Sequence, residues 1–240
     1  MKGIILAAGL GSRLKQITSD CPKALVEVNG ITLIDYAINF FINSVDEIII
    51  IGGYHFARLK AHINNKHEKK LRLIENPDYK NGSILTIEKA LPYIDDSFLL
   101  MNVDHIYPKS FAQKIIQNLN SITAICDFDR KLVADDMKVK LDTNKKIINI
   151  DKKLSDYDCG YIGMTSCHSN STSLYINSVK RAIEKGGINV NVEYVLQLMA
   201  SENSNPNILD LSGSIWLEID DENDFRKAEE TLKVNPTLKK

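Results

Sequence analysis

Four cysteines are too few and too scattered to hold a fold together. Cys21, Cys126, Cys159 and Cys167 form neither a CxxC pair nor a Cys/His array with zinc spacing. A disulfide framework and a structural zinc site are therefore excluded, and the cysteines read as free thiols in a reducing compartment. An excess of one charge is also missing. Lysine and arginine number 30 against 31 aspartates and glutamates, for a net charge of −1, so there is no electrostatic footprint for a nucleic acid. Long apolar runs are absent as well. The opening run at 3–8 follows a single lysine and stops at glycine, too short for a signal peptide and far too short to span a bilayer. A cytoplasmic protein with no membrane partner is the expectation, and the sequons at Asn81 and Asn170 carry little weight. No Ser/Gly or Pro linker, internal repeat or low-complexity tract interrupts the chain.

What is present suits one domain with a sizeable core: 240 residues, 44% hydrophobic and 25% charged. Short runs rich in Ile and Leu at 4–7, 47–51, 71–74 and 98–101 read as buried parallel strands. Stretches with helical spacing at 33–43, 56–64 and 83–91 alternate with them. This pattern predicts a doubly wound α/β fold, a mostly parallel sheet with helices on both faces. Ligands then sit beyond the carboxyl ends of the strands, which selects 8–13, 52–53, 75–83 and 102–107 as one rim. Beyond residue 121 the texture is richer in β, with strands predicted at 122–126, 137–141, 147–150 and 158–164. Helices are expected at 173–184 and 192–200, then an apolar run at 214–219 and an amphipathic stretch at 222–234. The reading is one domain over 1–235, with a nucleotide-binding half to about 120, an acceptor-binding half over 121–235, and a tail at 236–240.

The loop after the first strand suggests phosphate. Gly9 and Gly11 permit close backbone approach, and Arg13 adds a bidentate cation. A third glycine is missing where Leu14 stands, which excludes the dinucleotide fingerprint, and the G-K-[ST] of a P-loop is missing too. Lys23, following Pro22, can return to the same loop. Asp104 ends an apolar strand, where a carboxylate is costly without a cation such as Mg²⁺ beside it. Glu218 and Asp220, two apart on a strand, face one side and repel each other unless a cation lies between them. His105 faces away from Asp104 by strand alternation and reads as a packed histidine; Trp216 reads as core.

The stretch Leu6-Ala7-Ala8-Gly9-Leu10-Gly11-Ser12-Arg13-Leu14 stands with Pro22-Lys23-Ala24-Leu25, Asp104 and Trp216-Leu217-Glu218-Ile219-Asp220. Together they resemble the signature of the sugar-1-phosphate nucleotidyltransferase superfamily. Ala-Ala-Gly-x-Gly-Ser-Arg is more typical of its cytidylyltransferase branch. NVDHIY at 102–107 and IINIDKKLSDYDCGYIGM at 147–164 look like segments of CTP:inositol-1-phosphate cytidylyltransferases. Asn76, Asn81, Ser83 and the Glu-Ile-Asp triplet are similar to phosphocholine and phosphonate cytidylyltransferases.

The resemblance implies a Rossmann-like, GT-A-like fold and Mg²⁺-dependent transfer of CMP from CTP to a small phosphorylated alcohol or phosphonate, with release of pyrophosphate. A homodimer is a family-level expectation. Leu6, Ala7, Ala8, Gly9, Gly11, Ser12 and Arg13 would hold the nucleotide, and Lys23 would bridge the α-phosphate and the incoming phosphate. Asn76, Asn81, Gly82 and Ser83 would read base and ribose. Asp104 and Asp220 would hold Mg²⁺, with Glu218 as a further or outer ligand. Lys152 would grip the acceptor's phosphate, beside Tyr107, Asp158, Gly160 and Glu193. Departures occur where the inositol branch has Lys-Asp-Leu, here Lys152-Lys153-Leu154, and Asp-x-Asp, here Glu218-x-Asp220; they leave the acceptor open. An acidic lining from Asp127, Asp129, Asp156, Asp158 and Glu193 would suit a cationic head group. The alternatives are a UTP- or dTTP-dependent sugar-1-phosphate transferase and, more remotely, an inactive nucleotide-binding module.

Overall fold

Gly3–Ala7 are all buried, because the strand they form has sheet neighbours on both edges and helices on both faces. The structure is a computed structural model that describes residues 1–235 and 238, Lys15 and Gln16 by their backbone alone. The expected tail at 236–240 lies outside the described residues except for Leu238, which is buried in the core. In chain order the elements are β1 (Lys2–Ala7), β2 (Glu27–Val28), β3 (Ile31–Thr32), α1 (Leu33–Phe41), β4 (Glu47–Gly52), α2 (Phe56–Asn64), β5 (Leu71–Glu75), α3 (Ile84–Ala90), β6 (Phe98–Asn102) and β7 (His105–Ile106). There follow α4 (Ser110–Gln117), β8 (Ile122–Asp127), β9 (Lys138–Leu141), β10 (Ile147–Asp151), β11 (Cys159–Cys167), α5 (Thr172–Gly186), α6 (Tyr194–Ser201), β12 (Asn207–Asp210), β13 (Leu217–Glu218) and α7 (Glu222–Val234).

The sheet runs β10-β9-β11-β6-β1-β4-β5, with β8 and β12 branching from β11. β5, β4, β1 and β6 are parallel. Strand alternation divides their side chains between two cores. Ile5, Ala7, Ile48, Ile50 and Met101 pack with α1, α2, α4 and α7. Ile4, Leu6, Ile49, Ile51 and Leu100 pack with α3, α5 and α6. The close fit is visible at Gly3, where a Cβ would stand 2.8 Å from the Phe41 ring of α1. Strand order reverses at β1, since β4 lies on one side and β6 on the other. The crevice at such a switch point is where doubly wound sheets take ligands.

The second half is largely antiparallel around β11, which uses one edge twice. Cys159 and Gly160 pair with β9, whereas Met164–Cys167 pair with β6. The β9–β10 ribbon thereby hangs beyond the carboxyl end of β6 and brings Lys152 toward the crevice. Of the expected last apolar run at 214–219, only Leu217–Glu218 is strand, paired with β7 through Leu217↔Ile106 and Glu218↔His105. The Ile219 amide donates to the Asp104 carbonyl at 2.9 Å. Asp221 then caps α7, its carboxylate accepting from the amides of Asn223 and Asp224. This short ribbon carries the late carboxylates to Asp104. All four cysteines are free, three of them buried.

Candidate active site

At the end of β1 the chain leaves through Ala8–Leu10 and turns at Gly11, whose φ of +65° is left-handed. A Cβ there would also meet Lys23 and Thr18 at 3.0 Å. Gly9 has open space on its Cβ side, so the backbone is free for close approach by a ligand. The loop folds back over Pro22, and a 3₁₀ turn, Lys23–Leu25, sends the Lys23 side chain into the crevice between β1 and β6.

Lys23 is 7% exposed, and its Nζ donates to Asp104 Oδ2 and to Asp220 Oδ1, each at 2.7 Å. Burial works against the ammonium charge, yet the two carboxylates outweigh it and raise the Lys23 pKa. Burial likewise works against the Asp104 anion, but Lys23 and His105 hold its carboxyl well below the usual range. An unpaired buried charge would cost several kcal/mol, about 3–5 when one partner is removed. The pairing continues outward. Asp220 Oδ2 accepts from Arg13 at 2.9 Å, Arg13 also meets Asp135, and Asp135 accepts from Lys152 at 2.8 Å. Three carboxylates and three cations alternate from the floor of the crevice to its rim.

Two cavities meet at this chain and share Asn102 and Asp104. One, about 210 Å³, lies between the ends of β1 and β6 and is lined by Leu6, Ala8, Gly9, Lys23, Ser83 and Thr86. The other, about 180 Å³, is lined by Arg13, Asp135, Lys152, Glu193, Glu218 and Asp220. A larger cavity of about 310 Å³ behind Trp216 shares only Glu218 with the second and holds none of the network's cations. Burial pushes the carboxyl pKa values of Glu193 and Glu218 up.

Among the described residues no three His, Cys, Asp or Glu side chains converge at metal spacing. Two carboxylate oxygens, from Asp104 and Asp220, do flank one cation position, which the Lys23 ammonium takes here. Mg²⁺ is commonly bound by one or two carboxylates together with substrate phosphates, and this donor set fits that pattern.

Residues 3–132 match the MobA-like NTP transferase domain. The chain belongs to this family. The choline-phosphate cytidylyltransferase of Streptococcus pneumoniae is 30% identical over 97% of this chain and 99% of its own length. The bifunctional IPC transferase and DIPP synthase of Rubrobacter xylanophilus is 25% identical over 95% of this chain, which spans 51% of that relative's length. The solved structure of the inositol-1-phosphate CTP transferase from T. maritima shares the fold, with a TM-score of 0.83 over 100% of this chain and 96% of that one, at 19% identity.

In this member of the family the crevice brings together Leu6, Ala8, Gly9, Lys23, Ser83 and Asp104 on one side and Arg13, Lys152, Glu193, Glu218 and Asp220 on the other. Several expected site residues lie elsewhere. Ala7 points into the opposite core, and Gly11 and Ser12 shape the loop outside both cavities. Asn76 is wholly buried; its amide donates to Thr86 Oγ1 at 3.1 Å and its carbonyl accepts from the Asp78 amide, so it braces a loop. Asn81 is exposed on that loop. Gly82 is where two loops cross, since a Cβ would stand 2.0 Å from the Val190 carbonyl.

The expected acceptor lining needs more correction. Tyr107 does not close the pocket: it is buried in the core, and its hydroxyl donates to the Ile162 carbonyl. Asp158 accepts from the Leu141 amide at 2.8 Å, away from the cavity. Gly160 sits between β8 and β9, against Leu132. Of the five acids expected to line a head-group pocket, only Glu193 does so. Asp127 instead accepts from Trp216 Nε1 at 2.7 Å, and Asp156 from Lys140 at 2.8 Å. Trp216 is half-buried rather than core, with the Arg130 guanidinium 4.3 Å from its ring centre. His105 is buried as expected, but it does not face away from Asp104. β6 stops at Asn102, a turn at Val103–Asp104 breaks the alternation, and His105 Nδ1 lies 2.7 Å from Asp104 Oδ1. The sequence reading missed Asp135, which stands in an irregular loop with no periodicity to mark it, and also Thr86.

Proposed function

We propose that the chain is a cytidylyltransferase that transfers CMP from CTP to a small phosphorylated alcohol or phosphonate and releases pyrophosphate. One observation carries this reading: Lys23, buried between Asp104 and Asp220 at the switch point, with Arg13 and Lys152 continuing the charge chain outward. Such a site suits two polyanions that must meet. At ~4 Å a pair of unit charges repels by about 4 kcal/mol at an effective dielectric near 20, and three cations are placed to cancel that repulsion. The names of the relatives supply the nucleotide and the acceptor class.

In this reading the glycine loop and Ser83 hold the nucleotide in the first cavity, and Arg13 reaches the triphosphate. Lys23 leaves its carboxylates for the α-phosphate. Lys152 holds the acceptor, whose phosphate or phosphonate oxygen attacks the α-phosphorus in line. One P–O bond forms as the bond to pyrophosphate breaks, and both electrons of that bond leave with the pyrophosphate. The nucleophile is already anionic at neutral pH, so no general base is required, and catalysis rests on positioning and charge. Asp104 and Asp220, with Glu218 as an outer group, would hold Mg²⁺, which supplies charge neutralisation on the phosphates when bound. A homodimer is part of the reading and is checked by sedimentation. So is a cytoplasmic location; among the described residues no helix is long and apolar enough to cross a membrane.

Pyrophosphate release measured across the four ribonucleotides and dTTP, with inositol 1-phosphate, phosphocholine, 2-aminoethylphosphonate and glycerol phosphate as acceptors, tests the proposal. A strong preference for CTP with at least one of these acceptors is expected. Preference for UTP or dTTP with a sugar 1-phosphate would replace it with the sugar-nucleotide reading.

A further inference from the structure

We infer that His105 is a positioning residue that fixes the Asp104 carboxylate with one oxygen turned toward the cation position. The inference rests on the transfer reading above. A carboxylate can only accept, so the ring nitrogen 2.7 Å from Asp104 Oδ1 must donate as Nδ1–H. The other oxygen, Oδ2, meets Lys23 Nζ at 2.7 Å. The two oxygens of one side chain are thus divided, one held from behind and one presented to the crevice. Without the histidine, Oδ1 loses this donor and Lys23 at Oδ2 is left to fix the carboxylate from one side.

The surroundings hold the ring in that pose. It stacks with Trp216 at 5.8 Å and 14° and with Tyr107 at 5.5 Å and 18°. Trp216 is itself anchored through Nε1 to Asp127. On the opposite strand Gly163 has φ +79°, and a Cβ there would come within 2.7 Å of His105 Nε2, so the backbone is moulded to the imidazole edge. Nε2 faces Glu218 at 3.7 Å, beyond hydrogen-bond range. Among the described residues the one short polar contact of this buried ring is therefore Asp104. Partners behind a ligating carboxylate typically change metal affinity by about 10- to 100-fold when removed.

Asparagine and leucine have nearly the same shape, and only asparagine carries a donor near the place of Nδ1. His105→Asn and His105→Leu therefore lose the ring equally and differ in the hydrogen bond to Asp104. Mn²⁺ binding followed by electron paramagnetic resonance with CTP present is the main readout, alongside thermal midpoints and kcat and KM for pyrophosphate release. His105→Leu is expected to weaken Mn²⁺ about 10- to 100-fold and to lower kcat with little change in acceptor KM, and His105→Asn to recover most of both. Equal losses in the two variants, matched to equal drops in thermal midpoint, would overturn the positioning role and leave a packed histidine. If neither variant is soluble, histidine-selective ¹⁵N NMR of the wild-type protein decides: Nδ1 must remain protonated when CTP and Mg²⁺ are added, and a bare Nδ1 overturns the inference. A wild-type protein that binds Mn²⁺ but releases no pyrophosphate from any nucleotide overturns the transfer reading and the inference with it. Normal turnover with wild-type Mn²⁺ affinity in His105→Leu removes the inference alone.

Discussion

Lys152 and Asp135 form an ion pair at 2.8 Å on the rim of the cavity lined by Glu193 and Asp220, and the same carboxylate also engages Arg13. One acid thus occupies the two cations that the proposed phosphates need. Unlike Asp104 and Asp220, it has no assigned part once ligands arrive, so an incoming phosphate must displace it. Asp135→Asn is expected to lower the acceptor KM by up to about fivefold, since all three groups are well exposed and such pairs are worth at most about 1 kcal/mol. Steady-state kinetics with kcat nearly unchanged would agree; a higher KM would show that Asp135 binds the acceptor instead.

Lys23→Ala removes the cation between two carboxylates. Turnover is expected to fall by on the order of 10²-fold or more, and Asp104→Ala should do the same. The stability of the lysine variant should also become dependent on divalent cations, because Asp104 and Asp220 are left facing each other. Thermal unfolding in EDTA and in Mg²⁺ reads this directly: a larger Mg²⁺-induced rise for the variant than for wild type is expected, and equal shifts would argue against a shared cation position.

Gly82→Ala places a methyl group 2.0 Å from the Val190 carbonyl oxygen, a backbone atom that cannot move aside without shifting its loop. A loss of roughly 3 kcal/mol is expected from overpacking, measurable as a lower urea midpoint with an unchanged slope. Wild-type stability would mean that the loop crossing is loose.

Acid sensitivity should appear at the α1–α2 contact. Asp35 Oδ1 lies 2.7 Å from Lys66 Nζ and 3.0 Å from His62 Nε2. Burial works against its charge, but Lys66 and His62 outweigh this and its pKa is lowered. A carboxyl depressed on folding stabilises above its unfolded pKa, near 3.9, and that stability is lost as pH falls through the folded value. Asp35→Asn should therefore be less stable than wild type near neutral pH, and the difference should close as pH falls below about 4. Chemical denaturation across that range is the measurement; a constant difference would mean that the carboxylate charge is not involved.

The parallel half was legible because strands buried on both faces are continuous apolar runs. β1, β4, β5 and β6 stand within two residues of the expected ends, and α2 and α7 where they were expected. Gly9, Arg13, Lys23, Asp104 and Asp220 were legible because each residue type is costly or unusual at its place along the chain. Elements too short to show a period were not. β7 and β13 have two residues each, yet they carry Asp220 to Asp104. α4 and β12 have eight and four residues and passed unnoticed. Strand alternation does not run through the turn at Val103–Asp104, which brings His105 to Asp104, and Tyr107, two residues on, packs into the core.

The β7–β13 pairing also bears on synthesis. Whatever nucleotide cradle forms from the first half of the polypeptide, its second carboxylate does not exist until residue 220 has left the ribosome. A prematurely terminated product could keep the glycine loop, Lys23 and Asp104, but Lys23 would have only one of its two anions. In the proposed reaction, competence is thereby tied to translation beyond residue 220, and copies truncated before it would be inert.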